Sequence, residues 1–100
     1  MNKYQVYING ENFLMMNEGS KKTMGFYTTR WVEALSPKEA EIKAIELIKN
    51  DQDLKAATCN EKHDQPMLYV EEITEIESFE GINPPGAGYS FYPETEKSNS

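Results

Sequence analysis

One cysteine, Cys59, and one histidine, His63, in 100 residues close off several kinds of chemistry at once. A lone cysteine excludes an intramolecular disulfide, and a chain of this length can bury a core without one. Cys59, His63 and Asp64 are the only group of soft ligands. Cys-x3-His is half of a zinc pattern, and no second pair exists to complete it. As a nucleophile and base, the same two side chains sit four apart in a polar stretch, with nothing to orient the imidazole. Gly-x-Ser-x-Gly, His-Glu-x-x-His and the phosphate-binding loop are all missing. Asn9-Gly10 and Gly86-Ala-Gly88 read as turns, because neither lies between a strand and a helix as a phosphate cradle does. No cofactor is expected, and the absence of a catalytic motif points away from an enzyme. No apolar run approaches the length that spans a bilayer. The first eight residues alternate like a strand and show no apolar leader region. The expected compartment is the cytoplasm, with no membrane contact.

Positive charge is scarce as well. Ten Lys and Arg face 17 Asp and Glu, for a net charge of −7. The imbalance is local: residues 1–50 hold seven basic and six acidic side chains, whereas residues 51–100 hold three and eleven. Nucleic-acid binding needs cations against phosphate, and only Lys21, Lys22 and Arg30 supply them locally. A basic protein partner is compatible with this balance; nucleic acid is not expected.

What the sequence does contain is organised around Met24 to Lys49. Met24 to Leu35 reads as a strand that runs directly into a helix. Ser36, Pro37 and Glu39 form a Ser-x-x-Glu capping box with proline at the first helical position. At 100° per residue Ala40, Ala44, Leu47 and Ile48 share one face, with Ile45 at its edge. Ile42 falls on the polar side and Glu41 between Ile45 and Ile48, so the pattern predicts either a wide buried face or another segment covering part of the helix.

Before this core unit, Tyr4, Val6 and Ile8 alternate with Gln5 and Tyr7 as a strand with one buried face. Asn9-Gly10 then reads either as a turn, with Phe13–Met16 as a second short strand, or as a bulge within one longer strand. Asn17–Lys22 is a polar loop or hairpin turn. After the helix, residues 50–66 form a polar connection in which Leu54–Thr58 suits a short helical turn. Met67–Phe79 reads as a strand from its β-branched and aromatic content, with a helix as the alternative, and its apolar residues change step at Ile73, which a bulge near Glu71-Glu72 or a twist between two covered faces would explain. Residues 80–88, with two prolines and three glycines, are irregular, and Tyr89–Tyr92 suits a short docked strand. The fold class is therefore α+β: an antiparallel sheet of about four strands, in chain order strand, strand, strand, helix, strand, with a short final strand and one amphipathic helix across one face. A single domain is expected over residues 1–93, followed by a disordered polar tail at 94–100.

Three groups of residues are candidates for function. Glu71, Glu72, Glu75, Glu77 and Glu80 are the densest cluster of charge. If Ile73 lies mid-strand, Glu71, Glu75 and Glu77 share its face, a solvated strand surface or a docking site for a basic protein. Tyr27, Trp31, Tyr89, Phe91 and Tyr92 suit either the core or an aromatic binding surface. Arg30, beside Trp31, can make a cation–π contact or pair with the glutamates.

The run Ala34 to Glu46, with the strands before it, resembles the amino-terminal half of HicB-type antitoxins over less than half of the chain, without that family's glycine-marked strand. The resemblance implies a small protein that occupies another protein's surface.

The expectation is thus a small acidic protein-interaction module, a monomer or homodimer, that meets an unknown protein partner through Glu71, Glu75, Glu77, Arg30, Trp31, Tyr89 and Tyr92. The alternative is a small-ligand or metal-binding domain, its site between helix and sheet and lined by Glu41 and the glutamate strand.

Overall fold

The computed structural model describes residues 1–94, which form a four-stranded antiparallel sheet with one helix packed across it. The elements are β1 (Asn2–Asn17), β2 (Ser20–Ala34), α1 (Pro37–Lys49), α2 (Gln52–Ala57), β3 (Met67–Ile76) and β4 (Ser90–Pro93). Across the sheet the order is β3-β1-β2-β4. Residues 95–100, most of the expected tail, lie outside the described residues. Glu94, its first residue, is tied down: its N–H donates to the Thr23 carbonyl at 3.0 Å, and its Oε2 accepts from the Asn12 N–H at 2.8 Å.

Of the two readings of Asn9-Gly10, the bulged single strand is the one seen. Between the pairs Gly10–Phe26 and Phe13–Met24, β1 advances three residues while β2 advances two. One extra residue reverses the alternation. Hence Tyr4, Val6 and Ile8 face α1 before the bulge, and Phe13 faces it afterwards. Asn12 supplies the bend with a positive φ of 62°, a conformation that asparagine tolerates. Two strands rather than three therefore precede α1, and β4 supplies the fourth. The hairpin is also tighter than a six-residue loop, because Glu18 and Gly19 both take positive φ, as a two-residue turn requires.

Of the two explanations for the change of step in β3, the bulge is the one seen. Val70 pairs with Ile8 and Glu72 with Tyr7, which leaves Glu71 as the extra residue. Leu68 and Val70 on one side of it and Ile73 on the other thus all pack on the core.

The helix follows its signals. Ser36 Oγ accepts from the Glu39 N–H at 3.2 Å, and the Glu39 carboxylate reaches back to the Leu35 N–H at 2.6 Å, one residue before the usual partner. Ala40, Ala44 and Ile48 are buried, with Ile45 and Leu47 packed beside them, and Ile42 stays exposed. Asp51 caps α2, accepting from the N–H groups of Asp53 (2.9 Å) and Leu54 (3.1 Å). Asn60 pins the rest of the connection, bonding the Asn12 carbonyl, the Leu14 N–H and the Asp64 carbonyl. The core lies between α1 and one face of the sheet, with Phe26, Ile8, Ile48 and Val6 fully enclosed. Among the described residues no helix is long and apolar enough to cross a membrane.

Candidate functional site

Alternation along four strands gives the sheet a covered face under α1 and an open face. Cross-strand pairing places Gln5, Tyr7 and Asn9 of β1 on the open face with Trp31, Thr29 and Tyr27 of β2. Tyr69 and Glu72 of β3, paired with Asn9 and Tyr7, join them, as does Tyr92 of β4. Three tyrosines stay well exposed there: Tyr7 at 38%, Tyr27 at 39% and Tyr69 at 41%. Tyr7 and Tyr27 stack with ring centroids 5.5 Å apart and planes 10° off parallel. Tyr27 also meets Tyr92 at 5.6 Å. Tyr92 in turn lies over Gly25, where any Cβ would collide with its ring, and its hydroxyl accepts from Asn9 Nδ2 at 3.0 Å. The surroundings are electronegative. The Tyr27 phenol is pushed above its ordinary value, first by the neighbouring Tyr92, then by lost hydration and by the carboxylates of Glu71 and Glu11.

The expected constellation is divided between the two faces. Tyr27, Trp31 and Tyr92 lie on the open face. Tyr89 and Phe91 lie on the other, edge-on to Phe26 at 4.8 and 5.6 Å. Trp31 is less available than its position suggests. Its indole N–H donates to Gln5 Oε1 at 2.9 Å, its backbone N–H to the Pro85 carbonyl at 3.0 Å, and Gly86 packs against its ring. The glutamates are divided too, because the bulge at Glu71 breaks the shared face. The charge of Glu71 is felt at Tyr27, whereas Glu75 pairs with Tyr4 on the covered side, and Glu75 and Glu77 flank a shallow depression at the Met1–Lys3 end of the sheet. Among the described residues no three His, Cys, Asp or Glu side chains gather as a metal would need. Cys59 and His63 do not meet: the thiol is directed to the Ala57 carbonyl, and the exposed imidazole lies 3.9 Å from Glu61.

Arg30 is 4% exposed and, among the described residues, pairs with no glutamate. Its guanidinium bonds the Thr28 hydroxyl and the Thr29 carbonyl, and it lies 5.0 Å from the ring centre of Tyr89. Of the two roles open to Arg30, the cation–π contact is the one seen, and its ring is Tyr89. The Tyr89 hydroxyl then donates to Asp51 Oδ2 at 2.7 Å. This chain from β2 through the segment before β4 to the cap of α2 fixes the covered side. Burial and the Asp51 hydrogen bond push the Tyr89 phenol from 10.0 to about 12. The folded phenol holds its proton more tightly than the unfolded one, so its stabilisation is complete below pH 10 and is lost as pH rises towards 12. Titration of tyrosinate absorbance should show a last-titrating phenol that is lost in Tyr89→Phe, later than the raised phenol of Tyr27, and alkaline unfolding should be less steep in that variant.

A second concavity lies on the covered side, between α1, α2 and the edge strand β3. It encloses about 730 Å³ and is bordered by Phe13, Ile45, Ile48, Leu54, Leu68 and Val70. Glu41 lies on its rim, as expected of a site between helix and sheet, but the glutamates of β3 do not; Met67, Leu68 and Val70 form that wall.

Tyr7 and Tyr69 were not among the expected site residues, although each is out of phase with apolar neighbours on the covered face. Asp51 was missed too; its signal is its place just before a short helix-forming run. Set against protein-family models, curated proteins and solved structures, the chain matches none, so the likeness to HicB-type antitoxins rests on the strand-to-helix pattern alone.

Proposed function

We propose that this chain is a protein-interaction module that receives a basic partner on the open face of its sheet. The observation that carries this reading is the exposed trio Tyr7, Tyr27 and Tyr69, set among the carboxylates of Glu11, Glu71 and Glu72. Tyrosine suits such a surface: it offers large, stiff, amphipathic area at small entropic cost, and the phenols find polar partners. The carboxylates steer a cationic partner and disfavour an anionic one. The tyrosines are also well supported from below. Tyr27 is held by Tyr7 and Tyr92, and Tyr92 by Gly25 and Asn9, so little ordering remains to be done on binding.

The reading moves the binding residues relative to the sequence-based set. Glu71 and Tyr92 remain, with Trp31 at the rim. Arg30 and Tyr89 serve the covered side, and Glu75 and Glu77 lie away from the tyrosines.

The test compares three versions of the protein as bait against lysate of its own host at low salt. Tyr7→Ser with Tyr27→Ser should weaken capture of a stoichiometric partner by about 2 kcal/mol, as loss of a central aromatic anchor does. Glu71→Lys with Glu72→Lys should weaken it and remove its salt sensitivity. Glu75→Lys with Glu77→Lys should leave it intact. Equal capture by all three would end the open-face reading, as would a partner lost only with the Glu75 and Glu77 reversals.

A further inference from the structure

We infer that the cleft between α1, α2 and β3 binds a small amphipathic anion, an apolar body carrying a single carboxylate. The site is separate from the open face, on the other side of the sheet, and does not depend on that reading.

Three observations converge. The first is size: about 730 Å³ falls within the roughly 300–1,000 Å³ of small-molecule sites. The second is the wall. Phe13, Ile45, Ile48, Leu54, Leu68 and Val70 come from β1, both helices and β3, so the apolar lining is built by the fold and not by one loop. Met67, 48% exposed at the lip, is a flexible thioether that adapts to the shape of a guest. The third is charge. In a chain of net charge −7, two lysines, Lys49 and Lys55, border this one cleft. They stand in the last turns of α1 and α2, and neither makes an ion pair among the described residues. Glu41, the rim's one carboxylate, sits eight residues before Lys49, about 12 Å along the helix axis. The rim is therefore polarised: cationic where α1 ends and α2 lies, anionic further back. An anionic head belongs at the lysine end, with its apolar body along Ile45, Leu68 and Val70. A cationic amphiphile would meet the lysines, and an uncharged one would leave them unused.

The experiment uses the whole chain and anilinonaphthalene sulfonate, a fluorescent amphipathic anion, as the probe. It should bind saturably at one site per chain. Decanoate should displace it about tenfold more effectively than decylammonium, the ratio expected when two exposed cations together favour one sign of charge. Lys49→Glu with Lys55→Glu changes two exposed positions. It should weaken decanoate about tenfold and cancel its preference over decylammonium, with the circular dichroism spectrum unchanged. Failure of the folded protein to bind the probe saturably overturns the inference. So does equal displacement by the two amphiphiles, or indifference to the lysine reversals. If sedimentation shows a dimer whose formation abolishes probe binding, the occupant is a second copy and the inference is likewise overturned.

Discussion

Phe26→Ala should cost about 3–5 kcal/mol, a large share of the roughly 5–15 kcal/mol that holds a domain of this size together. Phe26 has no exposed surface. Its ring is met by Phe13 at 4.9 Å, Tyr89 at 4.8 Å and Phe91 at 5.6 Å, and it lies across Gly10, its partner on β1. A Cβ at Gly10 would collide with that ring. The glycine and the phenylalanine form one unit: the ring covers backbone that a glycine leaves bare, beside the bulge where β1 changes phase. Truncation opens a cavity touched by three elements that cannot all close over it. Urea unfolding should show a lower midpoint with an unchanged slope, since the surface exposed on unfolding hardly changes. Phe91→Ala is the control. Phe91 is 43% exposed at the short edge strand, and its loss should cost about 1 kcal/mol. Gly10→Ala should be destabilising alone and nearly silent once Phe26 is alanine, because the clash has gone. Equal costs for Phe26→Ala and Phe91→Ala would mean that the core is centred elsewhere.

The strand-to-helix unit was legible because its signals are local. Ser36, Pro37 and Glu39 specify where α1 begins, and a spacing of 3.6 residues specifies which side of it is buried. The bulge in β3 was legible for a related reason. Leu68, Val70 and Ile73 can share one face only if a residue is inserted between them, and Glu71 is that residue. The choice at Asn9-Gly10 was not local. The dipeptide suits a turn as well as a strand, and the decision lies with β2, whose Phe26 needs a glycine opposite, and with β3, whose pairing holds Asn9 and Gly10 extended.

The site was harder to read, and for a physical reason. Alternation separates Tyr89 from Tyr92 onto opposite faces, so their grouping into one aromatic surface was avoidable. The place of Arg30 on the face of Phe26, Val32 and Ala34 was visible as well. What satisfies it was not: Tyr89 and the Gly88 carbonyl lie almost sixty residues away, in a segment whose path is set by turns at glycine and proline. Likewise nothing near Trp31 announces that Pro85 and Gly86 will cover it. Side-chain alternation reports which face a residue is on. It does not report which loop will cross that face.

Asp51→Ala should cost about 3 kcal/mol, and the way that loss divides shows how a buried arginine with no carboxylate in contact among the described residues is accommodated. Asp51 does two jobs. It caps α2, a role worth about 1 kcal/mol, and it accepts the Tyr89 hydroxyl as a charge-assisted bond worth about 1.5–3 kcal/mol. Through Tyr89 it also faces Arg30, which lies against the same ring. The Tyr89 bond, the cap bonds and the Arg30 charge together hold its carboxyl below the ordinary 3.8. The folded carboxylate binds its proton more weakly than the unfolded one. Its contribution is therefore complete above the ordinary value and is lost as pH falls through the lowered one. Asp51→Asn separates the two jobs, since asparagine caps as well as aspartate does. It should cost about 1 kcal/mol near neutral pH and flatten the acid limb of the stability profile, whereas Asp51→Ala costs the cap as well. Tyr89→Phe should cost about 1.5 kcal/mol, and combined with Asp51→Ala should fall short of the sum by about 1 kcal/mol, because the two share one bond. If Asp51→Asn proves neutral and leaves the acid limb unchanged, its charge plays no part in holding Arg30. The guanidinium would then rest on Thr28, the Thr29 and Gly88 carbonyls and the Tyr89 ring, and Arg30→Met, which keeps the packing and removes the charge, should stabilise the fold.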